Sequence, residues 1–346
     1  MKIALITGGP SSEKDVSVAS SISILRALRE NGHDVKVIDP IFGNEQPDES
    51  VILSHGVKKE SPTADELDNI NKDASRKILD CFSGKIFDDI EFAFLGLHGK
   101  FGEDGRVQSL LELRGIKYSG SGVFASALAM DKDITKVVLS SKGVKTPAWI
   151  SLEMNHGLSM SELDKLIQEK IGYPCVIKPN DEGSTVGLSI IQPDVEDIQL
   201  GSAVELAFRY SEKVLIERFT KGRELTVPVI GNEAFPVIEI RPDGGFYDYE
   251  HKYTKGMTEY ICPALLDPEI EESAKQTALM AHQALGCSVY SRIDLILDDQ
   301  NNLNCLEVNT LPGMTQTSLV PKSALAKGLS FNDLIREIIN LSLHKN

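Results

Sequence analysis

The sequence predicts a mixed fold, α/β followed by α+β, with an N-terminal open parallel-sheet (Rossmann-like) domain. Three observations predict it. Apolar strands and a helix alternate in the first forty residues, strands come in consecutive pairs later on, and 346 residues suffice for two or three domains. A hydrophobic share of 41% and a charged share of 25% are those of an ordinary globular chain.

"KIALIT" reads as a buried strand, broken by Gly8-Gly9-Pro10. A helix over 15–30 and the strand "HDVKVID" complete a βαβ start, hence the parallel sheet. Residues 43–74 are polar and are expected to form an exposed excursion. "IEFAFLGLHG" is a buried strand ending at His98, and "VQSLLELRG" is a short helix stopped by Gly115. "KYSGSG" marks a first domain boundary, which divides the chain into 1–120, 121–213 and 214–346. Helices follow over 123–130 and 131–142. "YPCVIKP" is then expected to pair with "VGLSII", and "KVLIERF" with "RELTVPVI" and "AFPVIEI". A helix over 267–285, a hairpin and a last helix over 331–343 close the chain.

The net charge of −15 argues against nucleic acid or an anionic membrane surface as the main partner. It leaves room for an anionic small substrate, which needs only local positive charge. Five cysteines without a C-x-x-C pair read as reduced and structural, and point to the cytosol. "MKIALITGG" is too short for a signal segment, no apolar run reaches membrane-spanning length, and no repeat of solenoid period is present.

The hairpin carries the first chemical signal. If "RIDLILD" and "LNCLEVN" pair around "DQNN", Asp294 lies opposite Glu307, Arg292 opposite Asn309 and Ile296 opposite Cys305. The other face, with Ile293, Leu295, Leu297, Leu306 and Val308, is expected to pack inward. Opposed carboxylates repel unless a cation lies between them. Asp, Glu and an Asn amide oxygen are hard ligands that suit Mg²⁺ with water and phosphates. On spacing alone, a solvated sheet face is an equal reading.

"VIKPNDEGSTVG" sets Lys178 at a strand end before a glycine loop holding Ser184, where backbone N–H groups can approach phosphate oxygens. It is not a Walker loop, since there the lysine follows the last glycine. An ordinary hairpin loop is the bland reading. "IERFTKGRELTV" offers Glu217 and Glu224 as hydrogen-bond acceptors, or a solvated connection. "GGPSSEKDVS" opens a helix whose N–H groups could hold an anion, or is a capped turn. Asp39, at the end of the second strand, raises a nicotinamide dehydrogenase as a rival, weakened by the absence of G-x-G-x-x-G. "LHGKFGEDG" places His98 at the C-terminal end of a strand, where open sheets bind ligands. "HKYTKGMTEY" has the composition of a lid or of an exposed loop.

These segments occur in order with "GSGVFASALAMDK", "FYDYEHKY" and "LEVNTLPGMTQTSLVP". Together they resemble the D-alanine–D-alanine ligases of the ATP-grasp superfamily, nearly end to end except over 43–84. The resemblance implies an ATP-grasp fold of three domains, with ATP held between the central and C-terminal ones. It implies Lys132, Lys178 and Lys252 on the nucleotide phosphates, Glu217 on the adenine side and Glu224 on the ribose. It implies Asp294, Glu307 and Asn309 as Mg²⁺ ligands (with Mn²⁺ as a substitute), in agreement with the hairpin. Glu13 matches the acid that orients D-alanine, linked through Ser184 to Tyr253. Arg292 and the Gly313 N–H match oxyanion partners, and His98, Ser318 and Leu319 the second-substrate side. Tyr253 is tyrosine in the dipeptide ligases and phenylalanine in relatives that make an ester with D-lactate. Arg106 and Phe219 depart from the family, where a small hydroxyl residue and an indole are common.

The residue types fit the implied chemistry. A carboxylate is a poor electrophile until ATP converts it to an acyl phosphate, and phosphoryl transfer needs positioning and charge neutralisation. The expected activity is ATP-dependent joining of two D-alanines for peptidoglycan synthesis, by a homodimer, with no nucleic acid or membrane partner. The alternatives are a D-lactate or D-serine ligase and an inactive nucleotide-binding regulator.

Overall fold

The computed structural model describes residues 1–54, 62–193, 196–243 and 256–345. The calls on Lys252 and Tyr253 lie outside the described residues.

The first sheet is parallel, in the order β2 (Asp34–Ile38), β1 (Lys2–Ile6), β3 (Phe92–Leu95), β4 (Lys117–Tyr118). Helix α1 (Lys14–Glu30) joins β1 to β2. The chain then returns to the other side of β1, through α2 (Glu49–Ile52), α3 (Ala64–Asn71) and α4 (Ala74–Ser83). That reversal makes the carboxyl ends of β1 and β3 a topological switch point, where loops diverge and leave a crevice. The loop before α1 and the His98 loop both enter it. The expected excursion is only partly exposed: α3 buries nothing, but Ile52, Ala74 and Ile78 join the core beneath the sheet.

Helices α5 (Arg106–Leu113), α6 (Val123–Met130) and α7 (Lys132–Ser141) lead to a second, antiparallel sheet. It runs β5 (Trp149–Glu153), β8 (Lys213–Arg218), β6 (Cys175–Pro179), β7 (Ser189–Ile191). Helices α8 (Met160–Lys170) and α9 (Asp197–Phe208) cover one face, against Leu152, Cys175, Ile177, Val214 and Ile216. Strand alternation sends Val176, Lys178 and Glu217 to the other face.

The third sheet holds β9 (Gly222–Ile230), β10 (Glu233–Ala234), β11 (Ile238–Pro242), β12 (Thr258–Ile261), β13 (Tyr290–Asp298) and β14 (Leu303–Asn309). Helix α10 (Pro268–Ala284) starts with proline at its first turn and lays Ala274, Ala278 and Ala281 on one face of this sheet. The last helices, α11 (Leu319–Ala326) and α12 (Phe331–His344), return to the first unit, where Val320, Leu334, Ile335 and Ile338 join its apolar core and α12 packs on α1 and β4.

Two strand expectations are corrected. β8 does not pair with β9: it bonds to β5 and β6, and the link at 219–221 crosses between sheets. The 213/214 division therefore cuts β8 from its own sheet. In the hairpin, Arg292 faces Asn309 and Asp294 faces Glu307, but the register then shifts, and Leu295, not Ile296, faces Cys305. Leu306 is left without an opposite residue. Such a bulge turns consecutive residues toward one side. Cys305 joins the inner core while Leu306, expected there, lines the cleft beside Glu307.

Candidate active site

The helix-free faces of the second and third sheets, together with the switch-point loops, enclose a cleft of about 1140 Å³. Glu13, His98, Lys132, Lys178, Ser184, Glu217, Glu224, Arg292, Asp294, Glu307, Asn309, Gly313, Ser318 and Leu319 all line it. The expected site residues within the described chain thus converge.

At the switch point, Glu13 stands at the N-terminus of α1, 8% exposed, and accepts a short hydrogen bond from the Ser184 hydroxyl. Two glycines make this possible. A Cβ on Gly183 would lie 2.3 Å from Glu13 Oε2, and one on Gly99 would lie 2.9 Å from it. Ser184 and Thr185 hold left-handed φ values of 48° and 60°, uncommon for side-chain-bearing residues and typical of sites the surroundings over-determine. Glu182, buried beside this turn, accepts from Ser12 Oγ at 2.8 Å and pairs with Lys100 at 3.0 Å. It ties the glycine loop to the first unit.

His98 is buried and fully engaged. Nδ1 lies 2.7 Å from the Leu311 carbonyl, so it donates, and Nε2 accepts from Ser20 Oγ at 2.9 Å. Ser20 in turn accepts from the Met314 N–H. The ring therefore fixes the 311–314 segment that carries Gly313. Ser318 Oγ accepts from the Thr315 N–H, and Leu319 is buried against Ile238 and Ile240. Glu103 accepts from the Gly99 and Leu311 N–H groups, and burial and the nearby Glu13 carboxylate push its carboxyl up to about 8. In "LHGKFGEDG" nothing in the sequence separates Glu103 from the neighbouring Asp104.

On the second sheet, Glu217 forms ion pairs with Lys178 and, at 2.7 Å, with Lys136. Burial alone would raise this carboxyl, but the Lys178 and Lys136 ammoniums outweigh it and hold it at about 2. Lys136 was also missed. Its signal was its place four residues after Lys132, on the same helical face. Lys132 donates to the Glu182 carbonyl at 2.6 Å and lies 3.8 Å from Glu307.

On the third sheet, Asp294 is 7% exposed and accepts four hydrogen bonds. Arg292 gives two, at 2.9 and 2.7 Å, Thr226 Oγ1 one at 2.6 Å and Asn309 Nδ2 one at 3.0 Å. Asp294 and Glu307 face each other across the ladder. This donor set of hard oxygens fits Mg²⁺. Among the described residues there is no cluster of three or more His, Cys, Asp or Glu able to cage a metal. A cation here would therefore complete its shell with phosphate and water, as Mg²⁺ does.

The remaining expectations fall away from the chemistry. Asp39 accepts from the Gly9 and Ile41 N–H groups and lies 3.5 Å from Lys14, so it fixes the first loop and is not presented to a ribose. Arg106 pairs with Asp104, whose other bond holds the Phe101 N–H. The five cysteines are free thiols, and among the described residues no helix is long and apolar enough to cross a membrane.

Buried neutral histidines make stability depend on pH. Burial chiefly pushes both His98 and His282 down from 6.5 to about 4. Between those values the unfolded chain binds more protons, so this contribution is complete above about pH 6.5 and is lost as pH falls through about 4. Glu103, pushed up to about 8, works in the opposite direction between about pH 8 and 4.5. Urea midpoints measured from pH 7 to pH 4 are therefore expected to fall more steeply in Glu103→Gln than in the parent, and equal slopes would contradict this.

Two antiparallel sheets closing on lysines and hard-oxygen acids, beside an open parallel sheet, define an ATP-grasp enzyme. The model of the D-ala D-ala ligase N-terminus matches residues 2–121, and that of the C-terminus matches 138–340. The chain is 40% identical to a D-alanine–D-alanine ligase of Halalkalibacterium halodurans over 100% of both chains. The crystal structure of the Bacillus anthracis D-alanine–D-alanine ligase complexed with ATP is similar at a TM-score of 0.75 and 35% identity, over 99% of this chain and 97% of that one. The VanG D-Ala:D-Ser ligase from Enterococcus faecalis is similar at a TM-score of 0.78 and 29% identity, over 99% of each chain. This chain belongs to the D-alanine–D-alanine ligase family.

Proposed function

We propose that the enzyme joins two D-alanines through a D-alanyl phosphate, giving D-alanyl-D-alanine, ADP and phosphate for peptidoglycan synthesis. The observation that carries this is the meeting of three groups in one cleft. They are a carboxylate cradle at Glu13 and Ser184, the lysines 132 and 178, and the opposed acids Asp294 and Glu307.

The first D-alanine places its ammonium at Glu13, which accepts from Ser184, and its carboxylate toward the nucleotide. Lys132, Lys178 and Lys252 hold the phosphates, while Glu217 and Glu224 receive the adenine and ribose. Asp294, Glu307 and Asn309 would hold Mg²⁺, or Mn²⁺ in its place, which supplies charge neutralisation for phosphoryl transfer. Arg292 and the Gly313 N–H stabilise the oxyanion formed when the second amine attacks the acyl phosphate. His98 acts by holding the Gly313 segment, and Ser318 and Leu319 border the second substrate. We further propose three units, 1–120, 121–213 and 214–346, with the second division moved past Arg218 to keep β8 with its sheet, and, as the family resemblance implies, a cytosolic homodimer.

Incubation with ATP, Mg²⁺ and a panel of D-amino and D-hydroxy acids, read by phosphate release and product mass, tests the reading. D-alanyl-D-alanine is expected as the main product, with little ester when D-lactate is in excess. Tyr253→Phe is expected to raise the ester share. The phenol would otherwise hydrogen-bond over the amine site, and leaving its partners unpaired costs about 1–3 kcal/mol. Predominant D-lactate or D-serine product from the unmodified enzyme would replace this reading, and no turnover would favour a regulator.

A further inference from the structure

Three ionised side chains lie together behind the nucleotide side of the cleft, and the mechanism above uses only two of them. Lys178 and Glu217 line the cleft, whereas Lys136 does not. Lys136 is 0% exposed; its ammonium forms an ion pair with Glu217 Oε2 at 2.7 Å and donates to Thr146 Oγ1 at 2.6 Å and the Pro147 carbonyl at 3.1 Å. The ring of Trp149 lies 5.4 Å from it on the remaining side. These partners come from β8, β5 and the 146–147 segment before β5, so the lysine is held from several directions.

Lys178 is placed differently. It shares the Glu217 carboxylate but opens on the cleft, where phosphates are proposed to bind. A lysine cannot serve both at full strength. When it turns to a phosphate, a carboxylate 3% exposed loses a counter-ion. A buried carboxylate without a partner is strongly unfavourable, so Glu217 alone would retain Lys178. With Lys136 in place, Glu217 stays paired whichever way Lys178 points.

We propose that Lys136 is a positioning residue: a fixed counter-ion for Glu217 that releases Lys178 to the nucleotide phosphates. The inference rests on Lys178 being a phosphate ligand, and the test separates the two. Inhibition constants of adenosine and ADP would be measured against ATP for the intact enzyme and for Lys178→Met, Lys136→Met and Lys136→Met/Glu217→Gln, with circular dichroism to confirm folding. In Lys136→Met, Lys178 is retained by Glu217. ADP is expected to weaken at least tenfold and adenosine less than threefold. In the double variant Lys178 has no carboxylate to hold it, and because Glu217 is also the proposed adenine acceptor the readout is ADP affinity relative to adenosine, which is expected to recover at least threefold over the single variant. Equal weakening of adenosine and ADP, or no recovery in the double variant, would overturn the proposal. Unchanged ADP affinity in Lys178→Met would instead remove the phosphate assignment beneath it. If Lys136→Met does not fold, the lysine ¹⁵Nζ resonances of the unmodified enzyme decide. On ADP addition the Lys178 signal is expected to move and that of Lys136 to remain, and a Lys136 shift as large as that of Lys178 would overturn the proposal.

Discussion

Glu307→Gln is expected to fold normally and to lose turnover by about 10²–10³-fold at ordinary Mg²⁺, with part of the loss recovered as Mg²⁺ is raised. The two halves of this result have separate causes. Asp294 is satisfied without Glu307, since Arg292, Thr226 and Asn309 supply its four hydrogen bonds. Removing the opposed charge relieves repulsion across the ladder and gives up the 3.8 Å ion pair with Lys132, whose ammonium keeps its hydrogen bond to the Glu182 carbonyl. Thermal unfolding should stay within about 0.5 kcal/mol of the parent, as for substitutions that disturb no packing. On the proposed assignment, catalysis would lose a metal ligand at the point where phosphate charge develops. Near-normal rates at modest Mg²⁺ would place the cation elsewhere.

Gly183→Ala is expected to cost about 10²-fold or more in kcat/KM for D-alanine while nucleotide binding changes little. The added methyl would stand 2.3 Å from Glu13 Oε2, so the carboxylate must move. It is the far end of a flexible side chain and moves cheaply, which keeps the fold. The motion separates it from Ser184 and from the position assigned to the substrate ammonium, and a shift near 1 Å suffices for a loss of this size. Gly183 carries no left-handed φ, so the effect is one of space and not of backbone strain. D-alanine saturation curves with ADP inhibition measured in parallel would test it. A normal KM for D-alanine would show that Glu13 does not hold the substrate.

The residues that line the cleft were legible by two routes: strand alternation and glycine placement marked Asp294, Glu307, Lys178 and Ser184, whereas Glu13, Lys132, Gly313, Ser318 and Leu319 came only from the family resemblance. Asp294 and Glu307 were placed opposite each other from a hairpin pattern alone, and that pairing holds. The bulge one step further was not legible. Cys305 and Leu306 are both apolar, so the sequence does not mark which one turns inward. The crossing between β8 and β9 was hidden for a related reason. A short polar link between two strands has the appearance of a hairpin, and only the packing of α8 and α9 against the second sheet separates them. β5 was overlooked because "WISLE" is short and half polar. The i, i+4 spacing of Lys136 from Lys132 was the only signal of it and a weak one, because a lysine on a helix is ordinarily solvated; its burial follows from β8 and Trp149 of β5 closing over it.

The return of α11 and α12 to the first sheet has a consequence for synthesis. Translation delivers β1 to β4 long before residues 320–339, yet Val320, Leu334, Ile335, Ile338 and Ile339 belong to that sheet's core. A nascent chain that has emerged only as far as Tyr118 thus holds α1 and β4 with part of their apolar surface still facing water. Exposed apolar surface of this kind is what holdase chaperones bind and what drives early aggregation. The packing of the parallel-sheet unit therefore waits for α12 to clear the exit tunnel.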